Sequence, residues 1–330
     1  MSKSQKILVT GAAGFIGTHL VRALIKEGHQ VKALARESDR TDELEAMEVD
    51  LIKGDLNNPE SLAKAVSGID AVFHLAGVLG KFGIPKDVYL QTNVEGTKNL
   101  LKICLASNIK HFIHCSTAGV LGPYRDKPFD ESQPYNPTNI YEKTKCQGEI
   151  LARDYSAKGL PVTVIRPEFA YGPYDQHTLQ MFRAIQNKRF FIIGGGQNTL
   201  QPTYIDDLIG GFLLCLDNPA AVGQTYTIAG NNPVKLEYFV SVIAENLGVK
   251  LPGIKIPVWL AAAAAHVLVF LAGIFKFNPI LTKSRLQFFT ENRGCLIDKA
   301  KKELNYRPKF SVEEGVKKTI KAYRERGYLK

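Results

Sequence analysis

A chain of 330 residues, 45% apolar and 22% charged, has ordinary globular composition, which excludes global disorder and a collagen-like fibre. Its 42 Lys and Arg against 32 Asp and Glu give a formal charge of +10, and the last 33 residues carry 11 of those cations against five acids. Aromatic residues do not interleave with these charges in a nucleic-acid pattern, so the basic excess reads as solvated helix faces and no nucleic-acid partner is expected. In chain order, Lys6–Thr10 predicts a strand followed by a helix through about Glu27. Strands then recur at Gln30–Ala35, Asp50–Lys53, Ala71–His74, His111–Cys115 and Val162–Ile165, with amphipathic stretches around 58–67, 87–108 and 138–157 between them. Apolar strands alternating with helices mean parallel pairing with helices on both sheet faces. The expected fold class is therefore α/β, a doubly wound parallel (Rossmann) sheet over 1–170. Residues 171–330 form a smaller, mostly helical substrate part, from which a strand at Thr225–Ile228 returns to the sheet. Met1–Gly17, broken by glycines and continued by polar residues, reads as strand and turn rather than a secretory leader. Five scattered cysteines without a CxxC pair predict reduced thiols in a cytoplasmic protein, and no His/Asp/Glu cluster has metal-ligand spacing.

Two motifs carry chemistry. Gly11-Ala-Ala-Gly14-Phe15-Ile16-Gly17 lies at the first strand–helix junction. There Gly11 permits a tight turn, Gly14 lets backbone approach a pyrophosphate, and Gly17 lets the helix pack on the sheet. Dinucleotide binding follows. The second strand ends at Arg36, with Ser38 and Arg40 close by, where an NAD site would offer a carboxylate to the ribose. A guanidinium suits a 2′-phosphate, so NADP is expected, with NAD the alternative. Asp55-Leu56, after the third strand, could meet the adenine, or Asp55 could simply cap a turn. The second motif is Tyr141-Glu-Lys-Thr-Lys145, which puts a phenol and an ammonium on one helix face. A cation beside Tyr141 favours its phenolate, and Lys145 would also hold a ribose. Ser116-Thr117, at the end of the fifth strand, could donate to a substrate oxygen.

With these residues in place the chain resembles an extended short-chain dehydrogenase/reductase. The likeness rests on the glycine turn, Gly54-Asp55-Leu56, His74-Leu-Ala-Gly77, Asn93-Val-Glu-Gly96-Thr97, Ser116-Thr117, Tyr141-x-x-x-Lys145, Arg166-Pro167, Tyr171-Gly-Pro173 and Tyr204-Ile-Asp206-Asp207. It implies that Thr117, helped by Ser116, binds the reacting oxygen and that Tyr141 is the acid/base. It further implies that Phe15, Ile16, Leu75, Ala76, Gly77 and Pro167 line the cofactor cleft and that Asn93 steadies the active-site strand and helix.

The reaction is narrowed by what is missing. Sugar dehydratases of this family carry Asp-Glu beside the threonine, where this chain has Ala118-Gly119. Nucleotide-sugar epimerases carry Asn and Arg-Asp where it has Phe169 and Gln201-Pro202, so polar grip on a pyrophosphate is lost. Net oxidation or reduction of a hydroxyl or ketone on a ring substrate is the favoured outcome. The alternatives are 4-epimerisation and, from another class, a non-catalytic NAD(P)-sensing protein. Segment 256–275 has no formal charge, and with Leu281–Phe289 it resembles the 3β-hydroxysteroid dehydrogenase-like branch. A helix over the substrate cleft or within an oligomer contact is expected there, with a lid at a membrane surface and a membrane span as the alternatives, and the partners expected are a small-molecule substrate and a second copy in a homodimer.

Overall fold

The computed structural model describes residues 4–216 and 218–330. Seven strands pair in parallel: β1 (Lys6–Thr10), β2 (Gln30–Ala35), β3 (Asp50–Lys53), β4 (Ala71–His74), β5 (His111–Cys115), β6 (Val162–Pro167) and β7 (Thr225–Ile228). Their order across the sheet is β7-β6-β5-β4-β1-β2-β3. β1 lies between β2 and β4, with Ile7 opposite both Val31 and Ala71. The chain thus leaves β1 in one direction and later resumes on its other side. Such a reversal opens a crevice at the carboxyl ends of the strands, where open α/β sheets bind ligands.

Burial on both faces explains the continuous apolar runs. α1 (Phe15–Lys26) packs Leu20, Val21 and Leu24 into one core. On the opposite face α2 (Pro59–Val66), α3 (Thr97–Ala106) and α4 (Ile140–Ala157) contribute Leu62, Leu100, Leu101 and Ala152. Asn58 and Asn139 cap α2 and α4 by accepting from backbone N–H groups of their first turns. The expected amphipathic stretch at 87–108 is not one regular helix. A short helix, Lys86–Leu90, runs into a π-helical turn, Gln91–Gly96, before α3 begins. Gly96 presses on Leu56, where a Cβ would stand 2.7 Å from the Leu56 Cβ. The wider turn aims Asn93 inward, a use to which π-bulges are often put.

Beyond β6 the chain is mostly helical. α5 (Gln176–Gln186), α6 (Ile205–Cys215) and α7 (Leu236–Leu247) add Phe182, Leu208, Phe212 and Phe239 to the first core. α8 (Val258–Phe275), α9 (Lys283–Thr290), α10 (Asp298–Glu303) and α11 (Val312–Glu325) follow. A parallel ladder pairs Lys255–Ile256 with Ile192–Ile193, tying the root of α8 to the body. Asp207 on α6 accepts from the backbone N–H groups of Lys309 (2.7 Å) and Phe310 (3.1 Å), clamping the approach to α11.

Candidate active site

The glycine turn is dictated by close contacts. Gly11 has a φ of +69°, and a Cβ on it would stand 2.6 Å from the Ala76 nitrogen. A Cβ on Gly17 would strike the Gly11 carbonyl oxygen. Only glycine at both positions lets α1 start this near the sheet, and the first-turn N–H groups of an α-helix have no intrahelical partner. Gly14 is exposed at that start, with Phe15 and Ile16 half-buried beside it. This cradle fits a pyrophosphate.

Its floor is a chain of hydrogen bonds. Thr97 donates to the Asn93 carbonyl (2.9 Å), so His74 Nε2 donates to Thr97 (2.9 Å) and His74 Nδ1 accepts from Thr10 (2.8 Å). Burial first, with the nearby His114 and the Lys145 charge adding to it, keeps His74 neutral, as that pattern requires. The Ala76 N–H donates to Thr10, fixing the loop from Leu75 to Gly77 that follows β4. Asn93 accepts from the Val78 N–H (2.7 Å) and donates to Thr144 on α4 (3.0 Å), so it joins the loop after β4 to the helix that carries Tyr141.

At the second strand's end Arg36 is exposed, its guanidinium bound to Asp39 at 2.8 Å. Ser38 and Arg40 are exposed nearby. Asp55 accepts from the Asn57 backbone and side-chain nitrogens, which is the turn-capping role, and Leu56 is buried in the second core. Pro167 ends β6 opposite Ile228.

Thr117, Tyr141 and Lys145 come together. The Thr117 hydroxyl lies beside the Tyr141 phenol, and it also caps the 3-10 turn Ala118–Leu121. A Cβ on Gly80 would lie 3.5 Å from the Tyr141 Cβ, and one on Gly77 would lie 3.8 Å from Lys145 Nζ. Lys145 donates to the Cys115 carbonyl at 2.6 Å. The expected lowering of the phenol's pKa is not found. Burial raises Tyr141 above its ordinary value, reinforced by Cys115 and by the carboxylates of Glu142 and Glu168, and the neighbouring Thr117 hydroxyl opposes this. The ammonium that was to lower it is held on Cys115.

Ser116 stands apart from this group. It donates to Glu149 at 2.6 Å, as Tyr135 does at 2.8 Å, and Arg166 grips the same carboxylate from Nη2 at 2.7 Å. Burial opposes ionisation of Glu149, but the Arg166 bond and charge outweigh it and hold the carboxyl below its ordinary range. Glu149 follows Lys145 at the spacing by which Lys145 follows Tyr141, so it was legible as part of the same helix face. A second charged cluster, which sequence reasoning missed, flanks Tyr141. Arg293 donates to Glu142 and Glu291, each at 2.7 Å, and Glu168 lies within range of Arg293, Glu142 and Tyr141. No local sequence signal brings Arg293 to a residue 151 positions earlier.

The profile of the NAD dependent epimerase/dehydratase family matches residues 7–229. The chain belongs to that family. The 4-hydroxy-2-methyl-3-oxo-4-farnesyl-3,4-dihydroquinoline-1-oxide ketoreductase of Stigmatella aurantiaca is 29% identical over 318 residues, covering 94% of this chain and 95% of the relative. The 3beta-hydroxysteroid-dehydrogenase/decarboxylase isoform 1 of Arabidopsis thaliana is 30% identical over 353 residues, covering 96% and 79%. UDP-glucuronic acid 4-epimerase from Bacillus cereus, solved in complex with NAD, superposes with a TM-score of 0.80 at 26% identity, covering 97% of this chain and 99% of that one. This member of the epimerase/dehydratase family is an NAD(P)-dependent oxidoreductase.

Around Phe169 the chain is apolar where sugar-nucleotide relatives would be polar by the resemblance above. Phe169 packs against Phe239 and Phe288, with ring centroids 5.7 and 5.8 Å away. Gln201 is buried, donating to the Gly230 carbonyl and accepting from the Cys295 N–H. Both positions serve packing, and neither offers a polar group to a substrate pyrophosphate.

Proposed function

We propose that this chain is an NADP-preferring ketoreductase or hydroxyl dehydrogenase acting on an apolar ring substrate. The observation that carries the reading is the juxtaposition of Thr117 and Tyr141 at the sheet's carboxyl edge, with Lys145 one helical turn further on and Phe169 in an aromatic cluster next to Glu168. The nicotinamide, when bound, supplies or accepts the hydride. Gly11, Gly14, Phe15, Ile16 and Gly17 would hold its pyrophosphate, with Leu75, Ala76, Gly77 and Pro167 lining the rest of the cleft. Thr117 donates a hydrogen bond to the substrate oxygen. Tyr141, kept protonated by burial, gives that oxygen its proton in the reductive direction. Lys145, oriented by the Cys115 carbonyl, stands below it to meet ribose hydroxyls. Asn93 is a positioning residue, acting through Val78 and Thr144. Residues 1–170 with β7 serve the cofactor, and 171–330 serve the substrate.

Arg36 supports NADP because a 2′-phosphate can replace the half-buried Asp39 carboxylate on its exposed guanidinium. Removing Arg36 should therefore erase any preference for NADPH over NADH in titrated affinities, whereas Asp39→Asn should enlarge it. Equal affinities in the wild type would sink the NADP reading. We place the enzyme in the cytoplasm as a homodimer with peripheral membrane contact through 256–275, and a solution mass of one chain would remove the dimer.

Tyr141→Phe tests the chemistry. It should lower kcat by about 10²–10⁴-fold, as loss of a general acid does, while cofactor affinity stays within about threefold because the cradle is untouched. Undiminished turnover in this variant rules out Tyr141 as the proton donor.

A further inference from the structure

α8 is built inside out. In a helix of a soluble core the large apolar residues face inward, yet the buried stripe here is Ala261, Ala265 and Ala272. The large side chains point away from the body: Trp259 is 72% exposed, Phe270 69% and Phe275 70%, and Ile280, in the turn beyond, is 80% exposed. At 3.6 residues per turn the exposed large residues sweep roughly two-thirds of the circumference, and exposed apolar surface on this scale marks an interaction site. A contact with a second copy would cover one side and leave the remainder in water. Hydrocarbon covers them all.

The flanks name the kind of surface. No charged residue lies between Lys255 and Lys276, and Lys283 and Arg285 follow on α9. Cations beside an apolar helix attract anionic lipid headgroups, while their alkyl stems lie along the apolar layer. Eighteen residues measure about 27 Å, long enough to cross a bilayer core, but this helix does not cross. Its root is tied to Ile192–Ile193 through Lys255–Ile256. Its far end turns back within Phe277–Thr282, a turn pinned by Arg285 donating to the Pro279 and Ile280 carbonyls, and α9 returns packed against α8. Both ends therefore stay on one side.

The returning limb reaches the active site. Phe288 on α9 stacks on Phe169, Gln287 donates to Thr138, and Arg293 just beyond holds Glu142 beside Tyr141. We propose that the α8–α9 hairpin is a monotopic anchor seated in one leaflet of an anionic bilayer, and that it admits a lipid-dissolved substrate to the cleft from the hydrocarbon side. The entry half rests on the oxidoreductase reading above; the anchoring half does not.

Trp259 is the chain's single tryptophan, so its emission reports the anchor directly. With full-length protein, phosphatidylglycerol–phosphatidylcholine vesicles should shift that emission to the blue, and brominated acyl chains should quench it. Most of the protein should float with the vesicles. Phe270→Glu/Phe275→Glu should cut flotation at least tenfold while circular dichroism and NADPH affinity stay unchanged. An unshifted emission with vesicles overturns the anchor, as does a blue shift without lipid that follows protein concentration and doubles the mass. For entry, a sterol-like ketone dissolved in the vesicles should be reduced at least tenfold faster by the wild type than by the double variant, with equal rates in detergent micelles. Equal rates in vesicles overturn the entry route alone. Flotation without turnover in either medium overturns the oxidoreductase reading and leaves the anchor standing.

Discussion

Burial lifts the Glu168 carboxyl to about 7, with Glu142 adding to the shift and Arg293 opposing it, so a rise in pH strips the proton from unfolded chains before folded ones. A carboxyl raised in the folded state favours folding while protonated, and that advantage drains away as pH climbs from the ordinary 4.5 through about 7. Glu168→Gln, which mimics the neutral form, should match the wild-type Tm near pH 5 and exceed it at pH 8. A Tm difference that is constant with pH would contradict the assignment. Glu149 has the opposite sign. Held below its ordinary range, it contributes stability above about pH 4.5 that is lost on acidification. Glu149→Ala strands Arg166 as an unpaired buried cation and should cost about 3–5 kcal/mol, whereas Ser116→Ala, losing one hydrogen bond to a carboxylate, should cost about 1.5–3 kcal/mol. Chemical denaturation reads both. Ser116→Ala should also leave kcat nearly unchanged, separating Ser116 from its neighbour Thr117.

Helix α6 and the segment before α11 meet through one carboxylate. Asp207→Ala would leave the Lys309 and Phe310 N–H groups without their acceptor, at about 1.5–3 kcal/mol for each bond lost. Amide exchange should quicken across 305–325, and unchanged protection there would show that packing alone holds α11. Sequence alone made most elements legible because period and punctuation agree locally: β1 through β6, α1 and α4 all follow from apolar runs and their caps. The π-turn at Gln91–Gly96 was hidden, since its partners Leu56 and Thr144 are distant in sequence. Thr117, Tyr141 and Lys145 were readable as a group from spacing. Ser116 misled because adjacent residues on an extended strand face opposite ways, and it turned towards Glu149. The Arg293–Glu142–Glu168 cluster could not be read at all, because its members are joined only by the returning α9 limb.

For the whole molecule, the sheet is finished late: α5 and α6 intervene between β6 and β7, and α7 to α11 follow β7. β7 pairs with β6 from Thr225 opposite Val164 to Ile228 opposite Pro167. A fragment ending at residue 170 therefore leaves the β6 rim bare, with its N–H and C=O groups free to recruit another chain. Such a fragment should aggregate on expression, and a soluble, NADPH-binding 1–170 product would refute this. During synthesis the nascent chain must wait more than fifty residues for the strand that seals this margin. Until then it is a client for chaperones, and slowing translation between codons 170 and 225 should lower the yield of active enzyme more than an equal pause after 230.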